Sequence, residues 1–589
     1  MINNYRLLMR KWARYIFIFF GVLILVWIVM QVKSVADTSK SPYLFGVINN
    51  QSQHYADEWA RGVRATTLEL HWMFYEPQEG VIDMDYVRLK QHTLAELKAM
   101  GWKVQLIPGY NYVPDWVFTT YPDMYYVNQY GKRYDPDFAA EGGAQVINAP
   151  FNPQARELIA GYLARVWKDF NLDDFDSVRL GGGPLGELRY PRPDFHGYSN
   201  SYWAFDRYAQ NPAISGIPGE VMGWRPGIDP NPGSVGRGQL IVNPSFEHTH
   251  LYYPIPAWSP EEQVIAQLTS GRNGDRALKL TISTPHRIHQ YVRVEPNTTY
   301  HFGGWLRSDE NKKSARLFLI QIDANHQPLS DFGQLETNSN EWRYLSGELT
   351  THSHTQYLMV QMDGNQAGTY YFDDLWLTRA GETNKQNRDI VVPIAFYDWY
   401  VQKMIDYQNW QIAEVRDHYD GQIDMTYAGK GVLPMQVTDA LTNDLQGDIW
   451  SETNPGLYSA ATYDRHVAGL STSKNIALYL TGVEDPPPDL VDDRSPDPFR
   501  WSAARWFAHL AQSRELSVWG ENSGQDNVED LKVAAERMVA NNFLGLMWGF
   551  ESELYDPKGQ YVTIDDYHAL IIDYSSFDPI KSPKVYIYK

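Results

Sequence analysis

The sequence contains no cysteine. Disulfide bridges, thiolate nucleophiles, zinc sites built on cysteine and a lipid anchor on cysteine are therefore excluded. Basic residues are the minority among the charged ones, because 51 Lys and Arg stand against 71 Asp and Glu, giving a net charge of −20. A nucleic-acid-binding protein needs a basic face for the phosphate backbone, so we expect no nucleic-acid partner.

Motifs for metals and cofactors are also missing. The chain has no G-K-[ST] and no H-E-x-x-H, and its 16 histidines are scattered. Residues 181–186 do match G-x-G-x-x-G, but a dinucleotide site requires a helix to begin there, and Pro184 favours a loop. We therefore expect no cofactor to take part in the chemistry.

Apolar and aromatic residues are abundant. Hydrophobic residues make up 43% of the 589 positions, which is ample for the cores of two or three domains. Aromatic residues reach 14%, with 20 Trp and 40 Tyr. Flat rings stack on the apolar faces of sugars, so this composition is compatible with a carbohydrate protein, although most aromatic side chains simply fill cores.

The N-terminus carries the pattern of a membrane signal-anchor. Arg10, Lys11 and Arg14 precede an apolar run over 15–30, and its extension to Val32 is long enough for a transmembrane helix. Positive charge before the run predicts that the rest of the chain is extracytoplasmic. We expect a single-pass protein of the cell membrane, or a secreted one if cleavage occurs after 34–36 (SVA).

Hydrophobic periodicity predicts three folded segments after the anchor at 1–40. Strands and amphipathic helices alternate over 41–235 and again over 383–589, whereas 236–382 shows alternating strands without helical spacing. The eight strands of the outer segments are predicted at 43–48, 65–70, 103–108, 177–180, 422–427, 475–480, 516–519 and 545–549. We expect an α/β fold, one (β/α)₈ TIM barrel interrupted by an all-β jelly-roll sandwich. The alternative is two separate α/β domains that flank the sandwich.

Two glutamates follow strands of the predicted barrel. Glu187 follows the fourth strand and Glu521 the seventh, each beside glycines. Active sites of such barrels lie at the C-terminal ends of the strands. Glycoside hydrolysis needs two carboxyl groups across the scissile bond, one that donates a proton and one that activates water or attacks carbon. The sequence therefore predicts a glycoside hydrolase, although a lone glutamate in a loop is more commonly part of an ion pair.

The strand ends resemble those of β-amylases. Residues 183–191 (GPLGELRYP) are similar to the segment around that family's general acid, and 520–522 (GEN) to the segment around its general base. Further similar segments, in the same order along the chain, are 101–107 (GWKVQLI), 114–117 (PDWV), 126–133 (YVNQYGKR), 396–404 (FYDWYVQKM) and 480–484 (LTGVE). The resemblance implies that Glu187 is the acid, that Glu521 is the base, and that the reaction inverts the anomeric configuration.

Several residues become candidates for substrate binding. The resemblance implies sugar contacts for Glu69, Lys430 and Thr481, and the position of Trp548 at the end of the eighth strand suggests a floor for the sugar. The full candidate set is Glu69, Trp72, Asn111, Arg189, Tyr190, Lys430, Thr481, Glu484, Asn522 and Trp548.

The chain also departs from the β-amylase pattern. The loop after the third strand, 108–114 (PGYNYVP), lacks the family's histidine and its mobile flap, so an α-1,4-glucan is not implied as the substrate. Residues 75–80 (YEPQEG) resemble instead the second strand of clan A barrels such as the family 42 β-galactosidases, which retain configuration. Inversion and retention therefore both stay open.

The insert resembles carbohydrate-binding modules of the jelly-roll type. The similar segments are 242–247 (VNPSFE), 276–280 (RALKL), 300–308 (YHFGGWLRS) and 371–377 (YFDDLWL). The resemblance implies a structural calcium ion for which Glu247 and Asp374 are candidates, and hard oxygen ligands suit calcium. Trp258 and Trp305 are either core residues or stacking platforms, and a spacer without sugar affinity is the alternative role of the module.

Two other functions remain as rivals at this stage. A membrane-anchored sugar-binding protein without catalysis would bind carbohydrate and leave it intact. A transglycosylase would yield transfer products instead of free sugar.

Overall fold

The computed structural model describes residues 41–575 apart from short gaps. The gaps are 135–145, 195–196, 199, 230–238, 248, 250–254, 256, 262–263, 273–274, 284–285, 311, 326, 383–390, 430, 434–436, 438–454, 487–490, 497 and 525. The predicted membrane helix and Lys430 lie outside the described residues. Within these residues, no helix combines the length and the apolar character needed to cross a bilayer.

Eight parallel strands close into a barrel, as predicted. They are β1 (Leu44–Val47), β2 (Ala65–Glu69), β3 (Lys103–Ile107), β4 (Ser177–Leu180), β15 (Gln422–Tyr427), β16 (Ile476–Leu480), β17 (Ser517–Glu521) and β18 (Gly545–Trp548). Strand β4 pairs directly with β15, with Ser177 beside Gln422, and β1 closes the ring against β18. The two α/β segments therefore form one barrel and not two separate domains.

Helices α1 to α13 occur in chain order. They are Tyr55–Ala60, Trp72–Tyr75, Met84–Met100, Asp115–Thr120, Pro153–Asp169, Pro212–Ser215, Val391–Arg416, Pro455–Tyr458, Tyr463–Ala468, Ala503–Gln512, Val528–Ala540, Glu551–Leu554 and Ile564–Ser575. Capping residues define the ends of the long helices. Asp83 accepts from two backbone amides at the start of α3, and Gly101 ends that helix in the left-handed region. Asn527 and Asp530 form a capping box on α11.

The insert is a sandwich of two antiparallel five-stranded sheets. Its strands β5 to β14 are Ser259–Pro260, Val264–Ser270, Arg276–Ile282, Arg287–Arg293, Thr299–Ser308, Ala315–Ile322, Pro328–Thr337, Arg343–Thr350, Tyr357–Gly364 and Gly368–Arg379. One sheet has the order β11-β10-β13-β8-β5 and the other β12-β9-β14-β7-β6. The all-β insert is thus confirmed.

The two tryptophans of the insert have different roles. Trp258 is 1% exposed and belongs to the core between the sheets. Trp305 lies on the outer face of the second sheet, where the guanidinium of Arg272 lies 4.2 Å from the centre of its ring and the ring of Tyr344 is 5.4 Å away. Only Trp305 is therefore available as a platform.

Candidate active site

A cavity of about 880 Å³ opens at the C-terminal ends of the barrel strands. Residues at or just after the ends of all eight strands line it, and both predicted catalytic residues, Glu187 and Glu521, are among them. A third carboxyl group, that of Glu69, lines the same cavity. The barrel topology thus brings together acids that are far apart in the chain, as expected for this fold.

A tight turn presents Glu187. Residues 184–186 form a single 3-10 turn after the glycines, with Leu185 at φ 58°. A Cβ on Gly181 would lie 1.9 Å from the carbonyl oxygen of Gly186, so the sharp return of the chain requires glycine there. Because Gly186 leads into an extended residue and not into a helix, the structure does not provide the helix N-terminus that a dinucleotide site needs.

Two donors hold the Glu187 carboxyl group. The Nε of Arg189 donates to Oε2 at 2.6 Å, and the Oγ1 of Thr481 donates to Oε1 at 2.6 Å. The Glu187 side chain is 12% exposed, so it reaches the cavity while its orientation is fixed. Arg189 and Thr481, both predicted to bind substrate, therefore line the cavity and contact the predicted acid.

Glu521 ends strand β17 and forms a buried ion pair. Its Oε2 lies 2.8 Å from Nη2 of Arg179, whose guanidinium lies 3.8 Å from the centre of the Tyr479 ring. Burial raises the pKa of Glu521, and so does the charge of Glu187. The charge of Arg179 and a hydrogen bond from Tyr479 lower this pKa, but the net shift is upward. The two predicted catalytic carboxyl groups are therefore close enough to interact electrostatically.

Three side chains donate hydrogen bonds to the Glu69 carboxylate. Burial would raise its pKa, but hydrogen bonds from His71, Asn49 and Tyr112 together lower it. The Nδ2 of Asn49 donates to Oε2 at 2.5 Å, and Nε2 of His71 lies 3.4 Å from the same oxygen. Glu69 therefore stays ionised, as a ligand for sugar hydroxyl groups should.

Two amide residues predicted to bind substrate also line the cavity, Asn111 and Asn522. The amide of Asn522, however, is already used within the protein. Its Nδ2 donates to Oδ2 of Asp526 at 2.7 Å and to the carbonyl of Gly549 at 2.6 Å, and its Oδ1 accepts from the Gly549 amide at 2.7 Å. Asn522 therefore joins the loops after β17 and β18.

Four of the candidates do not line the cavity. Trp72, Tyr190 and Trp548 are each fully buried, so the structure gives no support to the prediction that they touch sugar. The indole of Trp72 donates to Glu76, the hydroxyl of Tyr190 donates to the carbonyl of Tyr400, and Trp548 packs 5.7 Å from the ring of Tyr567. Large aromatic side chains beside strand ends fill the barrel core here, because their volume fits the space between strands and helices.

Glu484 is the fourth candidate that does not line the cavity. It is 6% exposed and lies behind the cavity wall, where its Oε1 accepts from the backbone amide of Ser523 at 2.7 Å. Its neighbour Asp485 lines the cavity instead.

Several side chains at or beside the cavity are not among the predicted site residues. Arg179 and Tyr479 lie inside strands β4 and β16, and for Arg179 the available signal is a charged residue in a buried strand. Leu185 and Phe550 line the cavity and are 54% and 57% exposed. They follow the fourth and eighth strands, which lie opposite each other in the ring, so they provide apolar surface on two sides of the opening.

The comparisons with known proteins agree with this barrel and insert. Residues 59–165 match the glycoside hydrolase family 42 model, described as β-galactosidase, and residues 238–366 match the model of a carbohydrate-binding domain. The search of curated proteins found no match. The chain therefore carries a glycoside hydrolase barrel with an inserted carbohydrate-binding domain, and the predicted class of enzyme, a glycosidase, is confirmed.

Similar solved structures include the catalytic domain of β-amylase from Paenibacillus polymyxa, at 11% identity, a TM-score of 0.46, and coverage of 91% of this chain and 99% of that chain. The CBM22-1 xylan-binding domain of Paenibacillus barcinonensis Xyn10C is 17% identical and covers 25% of this chain and 99% of its own, with a TM-score of 0.20. A family 22 module of Clostridium thermocellum Xyn10B is 15% identical, with 24% and 98% coverage and a TM-score of 0.21. The family-model matches confirm the predicted resemblance to family 42 enzymes and to carbohydrate-binding modules, whereas these structural likenesses are too distant to define a function.

Proposed function

We propose that this protein hydrolyses an O-glycosidic bond of an oligosaccharide or polysaccharide with Glu187 as proton donor and Glu521 as base or nucleophile. One observation carries the proposal: the two carboxyl groups line one cavity, and the charge of Glu187 raises the pKa of Glu521. Two carboxyl groups of linked ionisation are what this reaction needs.

Each side chain of the site then has a role. Glu187, oriented by Arg189 and Thr481, protonates the departing oxygen. Arg179 lowers the pKa of Glu521 and so favours its ionised form, while the net upward shift brings that pKa closer to neutral pH, where a base is most effective. The ionised Glu69 accepts hydrogen bonds from sugar hydroxyl groups.

The stereochemical outcome has two candidates, each with its own observation. The segment 183–191 is similar to the acid segment of the inverting β-amylases, which favours inversion. The family 42 match over 59–165 favours retention and a β-galactoside substrate. Retaining enzymes hold their carboxyl groups about 5 Å apart and inverting ones roughly 6.5–9.5 Å apart. Proton NMR of the first-formed anomer during hydrolysis distinguishes the two.

Hydrolysis of a substrate panel tests the proposal directly. The panel contains β-galactosides, α-glucans and xylan, and sugar release is measured by chromatography. We expect Glu187→Gln and Glu521→Gln each to lower kcat by about 10³-fold or more, because removing a catalytic group of a cooperating pair has such effects. Glu220→Gln, at an exposed position outside the cavity, serves as the control. Binding without cleavage that is unaffected by Glu187→Gln would support the sugar-binding protein instead, and disaccharide transfer products would support the transglycosylase.

We also propose that the enzyme acts outside the cytoplasmic membrane, on the strength of the apolar run over 15–32 and the basic residues before it. Cell fractionation followed by carbonate extraction tests this proposal. Recovery in the membrane pellet would support an anchor, and recovery in the medium would support cleavage and secretion.

A structural calcium ion in the sandwich stays a proposal. Asp374 pairs with Arg272 at 3.5 Å, whereas its neighbour Asp373 is fully buried and its Oδ1 has no partner within the described part of the chain. Burial and the charges of Asp374 and Asp275 raise the pKa of Asp373 to about 7, which a cation would reverse. Among the described residues, no group of three or more acidic or histidine side chains could hold a metal ion, so backbone oxygens would have to complete the set with Glu247 and Asp373. A melting temperature that falls on chelation and recovers with calcium would support the ion.

A further inference from the structure

The loop that follows Glu521 is held by two carboxyl groups. Glu484 accepts from both the backbone amide, at 2.7 Å, and the hydroxyl of Ser523 through the single oxygen Oε1. Asp526 accepts from the side chain of Asn522 at 2.7 Å and from the amide of Gly524 at 3.2 Å. Three consecutive residues after the proposed base are therefore each bound to a carboxyl group.

The loop that carries Glu484 is itself firmly placed. The amide of Val483 donates to the carbonyl of Glu521 at 3.0 Å, which joins the two loops next to the base. From helix α11, the buried Arg537 donates to the carbonyls of Val483 at 2.9 Å, Asp485 at 3.1 Å and Pro486 at 2.8 Å. Glu484 thus links a fixed loop to the loop that carries the base.

We propose that Glu484 is a positioning residue for the catalytic base, holding residues 521–524 in place through the amide and hydroxyl of Ser523. The inference rests on the function proposed for Glu521. Glu484 does not line the cavity, and Ser523 does, so Glu484 acts on the substrate site only through that loop. The contact depends on side-chain length, because an acceptor oxygen must extend from the loop after β16 to the Ser523 amide.

The charges around Glu484 come from three elements. Asp526 lies in the loop after β17, Arg537 on α11 and Asp485 beside Glu484 itself, and Arg537 is in turn paired with Asp493. Burial and then the charge of Asp526 raise the pKa of Glu484 to about 7, against the hydrogen bonds from Ser523, which lower it. Since this pKa is higher in the folded than in the unfolded protein, the stability that the protonated group contributes is lost as pH rises through about 7.

Two substitutions of Glu484 separate the effect of side-chain length from the effect of charge. Glu484→Asp keeps the charge and shortens the side chain, whereas Glu484→Gln keeps the acceptor oxygen at full reach and cannot ionise. We expect Glu484→Asp to lower kcat roughly 10- to 100-fold with little change in KM, because a displaced base loses alignment while the binding contacts remain. Glu484→Gln should keep kcat within about threefold of the wild-type value, since both donors of Ser523 stay satisfied.

Glu58→Gln is the matched control. Glu58 is likewise fully buried, its pKa is likewise raised to about 7 by burial, and its Oε1 has no partner among the described residues, but it contacts neither the cavity nor the base loop. Both Gln variants should melt higher relative to the wild type at pH 8 than at pH 6. Only the substitutions at Glu484 should be able to change kcat.

Hydrogen exchange at the Ser523 amide tests the same contact without turnover. We expect exchange to accelerate about tenfold or more in Glu484→Asp and to stay near the wild-type rate in the two Gln variants. An unchanged Ser523 amide, or an unchanged kcat in Glu484→Asp, would overturn the positioning role. A faster amide in a protein that cleaves none of the glycosides would contradict the proposed function and leave the loop contact standing.

Discussion

Arginines lie over aromatic rings both in the barrel and on the sandwich, and Arg179 and Arg272 provide one example from each region. Arg179 lies 3.8 Å from the Tyr479 ring, its side chain is 8% exposed, and it pairs with Glu521 at 2.8 Å. Arg272 lies 4.2 Å from the Trp305 ring, its side chain is 31% exposed, and its carboxylate partner is 3.5 Å away. In the barrel, where water is largely excluded, the arginine lowers the pKa of a buried carboxyl group, whereas on the sandwich water has access to the arginine and screens its charge.

Exchanging each arginine for methionine should give the largest contrast between the two regions. Arg179→Met leaves Glu521 buried without its cation, so we expect a loss of about 3–5 kcal/mol in the free energy of unfolding. Because Arg179 lowers the pKa of Glu521, that pKa should rise further, and the acidic limb of the pH–kcat profile should move to higher pH. Arg272→Met should change stability by no more than about 0.5 kcal/mol.

Arg179→Lys is the companion variant for this measurement. It keeps the positive charge and should leave the acidic limb closer to its wild-type position than Arg179→Met does. An acidic limb that stays in place in Arg179→Met would mean that Glu521 is not the group that titrates in catalysis.

Glu69→Gln probes the binding part of the barrel cavity, and its effect should be smaller than that of Arg179→Met. A hydrogen bond to a charged group contributes about 1.5–3 kcal/mol, so kcat/KM should fall by roughly 10-fold or more. Since its partners lower the pKa of Glu69, the stability that the ionised group contributes is present at neutral pH and lost as pH falls through that lowered pKa. Equal kcat/KM in wild type and Glu69→Gln at pH 7 would remove Glu69 from the substrate site.

The sequence was sufficient for features that repeat along the chain. Strand β4 was predicted at its observed bounds, 177–180, and the ends of β4 and β17 located Glu187 and Glu521, because residues after parallel strands share one edge of a barrel. Contacts across strands were not predictable. Arg179 meets Glu521 only because β4 and β17 face each other across the barrel interior, and nothing local in either strand specifies that meeting.

The placement of aromatic residues at the end of β18 has a local cause as well. Trp548 and Phe550 are two residues apart there, and the position of Trp548 at the strand end favours the tryptophan as the floor for the sugar. Regular alternation would place residues two apart on the same face of a strand, but β18 ends at Trp548 and the chain bends at Gly549, so that Trp548 is fully buried and Phe550 is 57% exposed at the cavity. Polarity and size alone do not reveal which face of a strand end a side chain takes.

Phe550→Ala tests that corrected assignment. Stacking on one aromatic ring contributes about 0.5–1.5 kcal/mol, which corresponds to a rise in KM of roughly 2- to 10-fold, with kcat preserved. Steady-state kinetics on a short oligosaccharide measure it. Val528→Ala, at a 40% exposed apolar residue outside the cavity, serves as the control. If KM were the same in both variants, the exposed ring would have no part in substrate binding.

Trp305→Ala should give the smallest effect, and only on a polymer. The Trp305 ring lies on the outer face of a sheet with Arg272 and Tyr344, away from the carboxyl groups, so kcat and KM on a short oligosaccharide should not change. On an insoluble polysaccharide, the loss of one stacking contact should lower the bound fraction by a few-fold. Phe332→Ala, which removes a 53% exposed ring from the other sheet, is the matched variant for sedimentation binding. Equal binding of the two variants would favour a spacer role for the sandwich, and weaker binding by Trp305→Ala alone would assign sugar recognition to the face that carries Arg272. The contrast between the two arginines would then be one between catalysis in the enclosed cavity and capture on the open sheet.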